Sequence, residues 1–160
     1  MTTVLCPGSY DPITNGHVDI ITRARDIFGE VVVAVGVNSL KSSYLFGQHR
    51  VALVREATSH LAGVTVEEMS GLLVDFARDR GISTVVKGLR FGADFDFELQ
   101  LAHMNHSMTG LETVLLPASV GHVTLSSTLV REVLKLGGDV SPHVPACVVE
   151  TWQRIDNRNH

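Results

Sequence analysis

Short apolar runs alternate with stretches of helical periodicity along the whole chain. Val4-Leu5-Cys6 predicts a first strand, closed by Pro7-Gly8. From Gly16 to Phe28, Val18, Ile21, Ala24, Ile27 and Phe28 share one helical face, with Asp19, Arg23 and Asp26 opposite. Glu30 to Val37 is nearly all valine, which suits a strand covered on both sides. Helical period returns over Arg50 to Leu61, with Val51, Val54, Ala57 and Leu61 in phase. Val64 to Glu67 predicts a third strand, and Leu72 to Asp79 a helix ended by Gly81. Ser83 to Val86 and Thr113 to Leu116 predict two more strands, with a helix from Asp94 to His106 between them. Thr128 to Leu136 is helical up to Gly137-Gly138, and Val144 to Ile155 closes the chain.

Strands alternating with helices predict an α/β fold: a doubly wound, five-stranded parallel sheet, with residues 1–160 as one domain. Ligands of such sheets bind beyond the carboxyl ends of the strands. The positions to inspect therefore follow Cys6, Val37, Val86 and Leu116. The longest irregular stretches, Asn38 to Gly47 and Ala118 to Ser126, lie at two of these ends.

Composition narrows the classes. The chain is 44% hydrophobic and only 19% charged, which excludes a disordered chain. The longest apolar run, Val31 to Val37, is far short of the roughly 18 residues that cross a bilayer, and the amino terminus lacks the form of a secretory signal, so no membrane partner is expected. Cys6 and Cys147 make neither a disulfide framework nor a zinc spacing, and predict reduced thiols in a cytoplasmic protein. A net charge of −4 argues against nucleic acid as a partner. It leaves room for a small anion wherever the 13 lysines and arginines are concentrated.

Lys41, Lys87, Arg90 and Arg131 fall at the predicted strand ends, while the others are dispersed. Pro7-Gly-Ser-Tyr-Asp-Pro-Ile-Thr-Asn-Gly-His17 leads into a helix whose free amides make a natural phosphate seat, with His17 beside it. A rigid turn with an N-capping Thr14 or Asn15 and a half-buried histidine accounts for the same residues. Lys41 follows the second strand, and Lys87-Gly-Leu-Arg90 the fourth, where an ordinary turn is an equal reading. Leu125-Ser-Ser-Thr-Leu-Val-Arg131 places three hydroxyls at a helix start, where a cap needs only one. Arg23, Arg25, Arg55, Arg78, Arg80 and Lys135 read as solvated charge on helix faces. The conjunction describes a polyphosphate site. No G-x-G-x-x-G, Walker lysine, G-x-S-x-G elbow or metal-ligand spacing accompanies it, so no metal-binding residue is assigned.

The segment ending Thr14-Asn-Gly-His17 resembles the T/H-x-G-H signature of the nucleotidyltransferase superfamily, and Leu125 to Arg131 resembles its I-S-S-T-x-x-R signature. Lys87-Gly-Leu-Arg90, with Asp94-Phe-Asp-Phe-Glu-Leu-Gln100 and Met104-Asn105, is similar to the corresponding stretch of the phosphopantetheine adenylyltransferase family. The resemblance runs from Val4 to about Val140. It implies a Rossmann-like fold and transfer of adenylate from ATP to 4′-phosphopantetheine, giving dephospho-coenzyme A and pyrophosphate, with magnesium as cofactor and a homohexameric assembly. It also implies that Ser9 and Tyr10 contact ATP, with Ser9 touching the acceptor as well, and that His17 holds the α-phosphate. Lys41 and Lys87 would bind the acceptor phosphate, Lys41 sharing the catalytic role with His17, and Leu73 would line the pantetheine arm. Gly88, Leu89, Arg90 and Glu98, together with His122, Val123, Thr124, Leu125, Ser126, Ser127 and Thr128, would hold the nucleotide.

Three departures from the family pattern stand out: Tyr10 for phenylalanine, His122 at an often aromatic position, and Phe46-Gly-Gln-His-Arg50 where F-x-x-E-E-R is common. The last keeps Arg50 without either acid. Two other readings fit less well. The Lys87 to Asn105 stretch opposes a nucleotidyltransferase with another acceptor, and the full set of anion-binding residues opposes an inactive nucleotide-binding module.

Overall fold

The computed structural model describes residues 1–37 and 43–160. Five parallel strands form one sheet in the order β3-β2-β1-β4-β5. They are β1 (Thr2–Gly8), β2 (Gly29–Gly36), β3 (Val64–Met69), β4 (Thr84–Leu89) and β5 (Glu112–Pro117). Six helices accompany them: α1 (Asn15–Phe28), α2 (Arg50–Thr58), α3 (Leu73–Asp79), α4 (Gly92–Thr109), α5 (Ser127–Lys135) and α6 (Ala146–Arg158). Single 3₁₀ turns at Gly47–His49 and Val120–His122 punctuate the two long irregular stretches.

Alternate residues of each central strand feed two cores. Val4, Val31, Val33, Val35 and Val86 join the larger one, beneath α1, α2, α5 and α6. Leu5, Ala34 and Val85 point the other way, onto Val74, Phe76 and Ala77 of α3. Both faces of the valine-rich β2 are thus covered, as its composition predicts.

The chain order reverses between β1 and β4, which is where a doubly wound sheet opens its ligand crevice. β1 pairs with β2 over its whole length, from Thr2 opposite Gly29 to Gly8 opposite Val35. Against β4 it is bridged only at Leu5 opposite Val85. The crevice opens between these two strands, with Cys6, Pro7, Val86, Lys87 and Gly88 along it.

Several boundaries differ from the sequence expectation. Pro7-Gly8 does not close β1 but continues it, because the register with β2 carries both residues. Lys87, Gly88 and Leu89 lie inside β4, paired with Leu115, Leu116 and Pro117, so only Arg90 follows the strand. Ile27 is 60% exposed although its period assigned it to the apolar face. That face centres on the buried Ile21 and Ala24, and Ile27 sits about 120° around the helix from Ile21.

Candidate active site

The turn after β1 is held in a conformation that few side chains adopt. Tyr10 has φ +48°, a left-handed value costly for a bulky residue. Its buried ring anchors it there. The hydroxyl donates to the Cys6 carbonyl at 2.9 Å, and the ring meets His17 edge-on at a centroid distance of 4.9 Å. A Cβ on Gly8 would lie 3.0 Å from this ring, so the close approach requires glycine. Burial, then the neighbouring Cys6, raises the phenol pKa well above its ordinary value. Burial pushes the Cys6 thiol up to about 12.

Thr14 caps α1, and the two readings of this turn prove compatible. The Thr14 hydroxyl accepts from the His17 amide at 3.4 Å, while the Thr14 amide donates to His17 Nδ1 at 2.9 Å. This reciprocal box fixes the tautomer: Nδ1 accepts, so the neutral ring carries its proton on Nε2. Nε2 has no protein partner among the described residues. Burial, then repulsion from Arg90, lowers the imidazole pKa to about 4. The amide seat at the start of α1 is smaller than expected, because Asn15 donates to the His143 carbonyl and His17 to the Thr14 hydroxyl. Gly16 keeps the free amide of that turn.

A cavity of about 380 Å³ opens at this point between β1 and β4. Tyr10, His17, Lys87, Gly88, Arg90 and Glu98 line one side of it, and His122, Leu125, Ser126, Ser127 and Thr128 the other. Leu89, Val123 and Thr124 do not line it. Thr124 borders a separate groove of about 190 Å³ under α5. Gly88 has a packing duty as well: a Cβ there would stand 3.0 Å from Ile20 Cγ1 of α1.

Arg90 is aimed by the carboxylate of Asp94, a residue of the Asp94 to Gln100 stretch to which the resemblance attaches no role. Asp94 receives its Nε at 3.0 Å and its Nη2 at 3.4 Å, and Nη1 donates to the Leu125 carbonyl at 3.2 Å. One guanidinium thus ties β4 to the segment that leads into α5. Asp19 does similar work deeper in the wall, accepting from Ser119 Oγ at 2.7 Å and from Arg23 at 3.3 Å. Arg23 also donates to the Pro117 carbonyl at 2.8 Å, so it is a strut rather than solvated charge.

All three hydroxyls at the start of α5 have structural partners. Ser126 accepts from the Leu129 amide at 3.1 Å, Ser127 donates to the Pro12 carbonyl at 2.7 Å, and Thr128 accepts from Arg131 Nη2 at 3.2 Å. The amides of Ser127 and Thr128 remain without an intrahelical acceptor, which preserves an anion seat. Arg131 belongs elsewhere: its Nη1 donates to the Asp11 carbonyl at 2.7 Å, and it does not line the cavity.

A second cavity, also of about 380 Å³, lies on the other side of β4. Ser9 and Leu73 line it, with Met69, Leu101 and Asn105 nearby. Lys87 and Glu98 line both cavities and join them. Their side chains form an ion pair, with Nζ 2.9 Å from Oε2 and 3.1 Å from Oε1. Lys41 lies outside the described residues.

Residues 44–47, ahead of α2, are secured without the two acids missing from Gly47-Gln48-His49. Buried Asp11 accepts from the amides of Leu45 at 3.0 Å and Phe46 at 2.8 Å. Buried Arg50 donates through Nη1 to the carbonyls of Ser9 and Gly36, both at 2.7 Å, and through Nε to that of Gly47 at 3.0 Å. Its guanidinium also stacks on Tyr44, 3.6 Å from the ring centroid. Carbonyl dipoles here replace carboxylates as partners of a buried cation.

Residues 5–133 match the family model described as cytidylyltransferase-like. The chain is 49% identical over 151 residues to the phosphopantetheine adenylyltransferase of Paenarthrobacter aurescens, covering 94% of this chain and 91% of that one. It is 47% identical over 159 residues to the phosphopantetheine adenylyltransferase of Streptomyces coelicolor, covering 99% and 100%. The same comparison with the Cutibacterium acnes protein of that name gives 50% over 141 residues, 88% of this chain and 90% of the other. A switch-point crevice with two linked cavities, built on the motifs of one family and aligned with its members nearly end to end, places this chain in the phosphopantetheine adenylyltransferase family of cytidylyltransferase-like nucleotidyltransferases.

Proposed function

We propose that the protein transfers adenylate reversibly from ATP to 4′-phosphopantetheine, giving dephospho-coenzyme A and pyrophosphate, the penultimate step of coenzyme A synthesis. The observation that carries this reading is the pair of equal cavities joined at Lys87. One is walled by His17, Arg90 and the start of α5, and suits a triphosphate. The other, bordered by Ser9, Leu73, Met69 and Leu101, suits a phosphate with a flexible, largely apolar arm.

The chemistry is direct displacement. An acceptor phosphate oxygen forms a bond to the α-phosphorus as the bond to the β-phosphate oxygen breaks, and pyrophosphate leaves with the electron pair. No covalent enzyme intermediate is needed. Cys6 holds its proton to about 12 and Ser126 and Ser127 are engaged in the fold, so none of them is an activated nucleophile. His17 donates Nε2–H to the α-phosphate as charge builds there, a role for a neutral imidazole and not for a base. Arg90 and the amides of Ser127 and Thr128 meet the leaving pyrophosphate. Lys87, with Lys41 as a second cation, holds the acceptor phosphate. Catalysis is then positioning plus preplaced charge stabilisation.

Magnesium fits this site as an ion carried on the triphosphate. No three His, Cys, Asp or Glu residues converge among the described residues, and Asp19, Asp94 and Glu98 are each paired to a cation. Bound there through phosphate oxygens, the ion would supply charge neutralisation, as magnesium commonly does.

The homohexamer is supported by α4, an 18-residue helix with no buried residue. It exposes Phe95, Phe97, Leu99, Met104 and Met108, an apolar surface of the kind that subunit contacts cover. No described helix is long and apolar enough to cross a membrane, and a cytoplasmic location accords with the biosynthetic role.

The deciding experiment incubates the protein with ATP or CTP and a panel of phosphorylated acceptors. Dephospho-coenzyme A, identified by mass, and pyrophosphate should appear with ATP and 4′-phosphopantetheine. Turnover of nicotinate mononucleotide or glycerol phosphate instead would overturn the assignment.

A further inference from the structure

The Lys87–Glu98 pair poses a problem that the proposed reaction must solve. Lys87 is the cation of β4 that both cavities share, yet its ammonium is already held by a carboxylate. The two side chains are 23% and 15% exposed, so water screens the pair only in part. Glu98 Oε2 is closed to solvent and meets no donor other than that ammonium. A phosphate dianion arriving at Lys87 would come close to this carboxylate and be repelled by it. Glu98 has somewhere to go: it also walls the nucleotide cavity, where a ribose offers hydroxyl donors that a carboxylate accepts.

We propose that Glu98 couples the two substrate sites, holding Lys87 while both are empty and turning to the nucleotide side when an acceptor phosphate takes the ammonium. This rests on the adenylyl-transfer reading of the two cavities. Each ligand favours the same released position of Glu98, so each tightens the binding of the other by one factor. Glu98 is a positioning residue on the acceptor side and a contact on the nucleotide side. An empty acceptor site keeps its cation neutralised, which also discourages stray phosphates.

The test is calorimetric titration of 4′-phosphopantetheine, with and without α,β-methylene-ATP, whose α–β bridge cannot be cleaved. In the unmodified protein the analogue should tighten acceptor binding at least about fivefold, the scale of an ordinary allosteric coupling. In Glu98→Gln the acceptor alone should bind several-fold tighter than in the unmodified protein, and the analogue should add less than twofold. Glu98→Ala, run in parallel, poses the same question should the amide variant fold poorly. Coupling of unmodified size in either folded variant, or acceptor affinity that is unchanged or weaker, overturns the role of Glu98 alone. Absence of coupling in the unmodified protein does the same. No binding of 4′-phosphopantetheine to the unmodified protein overturns the adenylyl-acceptor reading along with it.

Discussion

The backbone amide of Thr14 donates to Nδ1 of His17 at 2.9 Å, so the same contact that closes the first turn of α1 decides which nitrogen of the imidazole carries its proton. His17→Ala removes both the capping partner and the Nε2–H donor. Turnover should fall at least ~10²-fold, the cost of deleting one donor to developing negative charge. A steady-state loss under threefold would remove His17 from the chemistry.

The lowered pKa of His17 has a signed consequence for stability. The unfolded chain takes up the proton near 6.5 and the folded one only near 4, so the contribution is intact above about 6.5 and is lost as pH falls towards 4. Relative to His17→Asn, the native protein should lose about 3 kcal/mol over that interval, at roughly 1.4 kcal/mol per pKa unit. Urea denaturation of both proteins between pH 7.5 and 4 measures it. A constant difference across the range contradicts the shift.

Asp94→Asn leaves Arg90 its contact with the Leu125 carbonyl but removes the charged partner that aims its fork. KM for ATP should rise about 5–10-fold, as for the loss of a charge-assisted hydrogen bond worth ~1–1.5 kcal/mol. KM for the acceptor should stay within twofold. Equal changes in both constants would mean a general distortion of the site.

Arg50→Met should destabilise the fold by about 3 kcal/mol, because the carbonyls of Ser9, Gly36 and Gly47 lose one shared, buried donor together. Arg50→Lys should recover only part of this, since an ammonium lacks the flat fork that reaches three directions and stacks on Tyr44. Melting temperatures of the two variants decide the point. Full recovery by lysine would show that charge alone matters there.

Gly88→Ala places a methyl 3.0 Å from Ile20 Cγ1 and should cost ~1–3 kcal/mol by overpacking. With Ile20→Ala in the same chain, the combined cost should be smaller than the sum of the two, a coupling that a double-mutant cycle reads directly. Strict additivity would place the strain elsewhere.

The alternation of valine-rich runs with amphipathic stretches made the five strands and their parallel arrangement legible, and the strand-end rule led to His17, Lys87, Arg90 and the α5 hydroxyls. The roles of Asp11 and Arg50 were not legible, because, Gly47 apart, their partners are backbone amides and carbonyls 14 to 41 residues away, which leave no mark on side-chain spacing. The length of β4 was hidden for a similar reason. Its last residues are held by pairing with Leu116 and Pro117, and the need for glycine at position 88 comes from Ile20 of α1, a contact that local sequence does not mark. Glu98 and Asp94 could be placed by periodicity on one helix. Which cation each would neutralise depended on where α4 crosses β4.

The seam between β1 and β4, bridged at Leu5 and Val85, runs through the middle of the proposed site. Ser9, Tyr10 and His17 ride on the β1–β2–β3 panel, while Lys87, Arg90 and Glu98 ride on β4 and α4. The spacing between His17 and Lys87 is therefore set across that seam. A backbone shift along it would move one set of these groups against the other as a unit. The enzyme's reactive alignment is in this sense a mechanical property of its sheet, and a strand-backbone perturbation near Leu5 should be felt at the phosphates without touching either substrate.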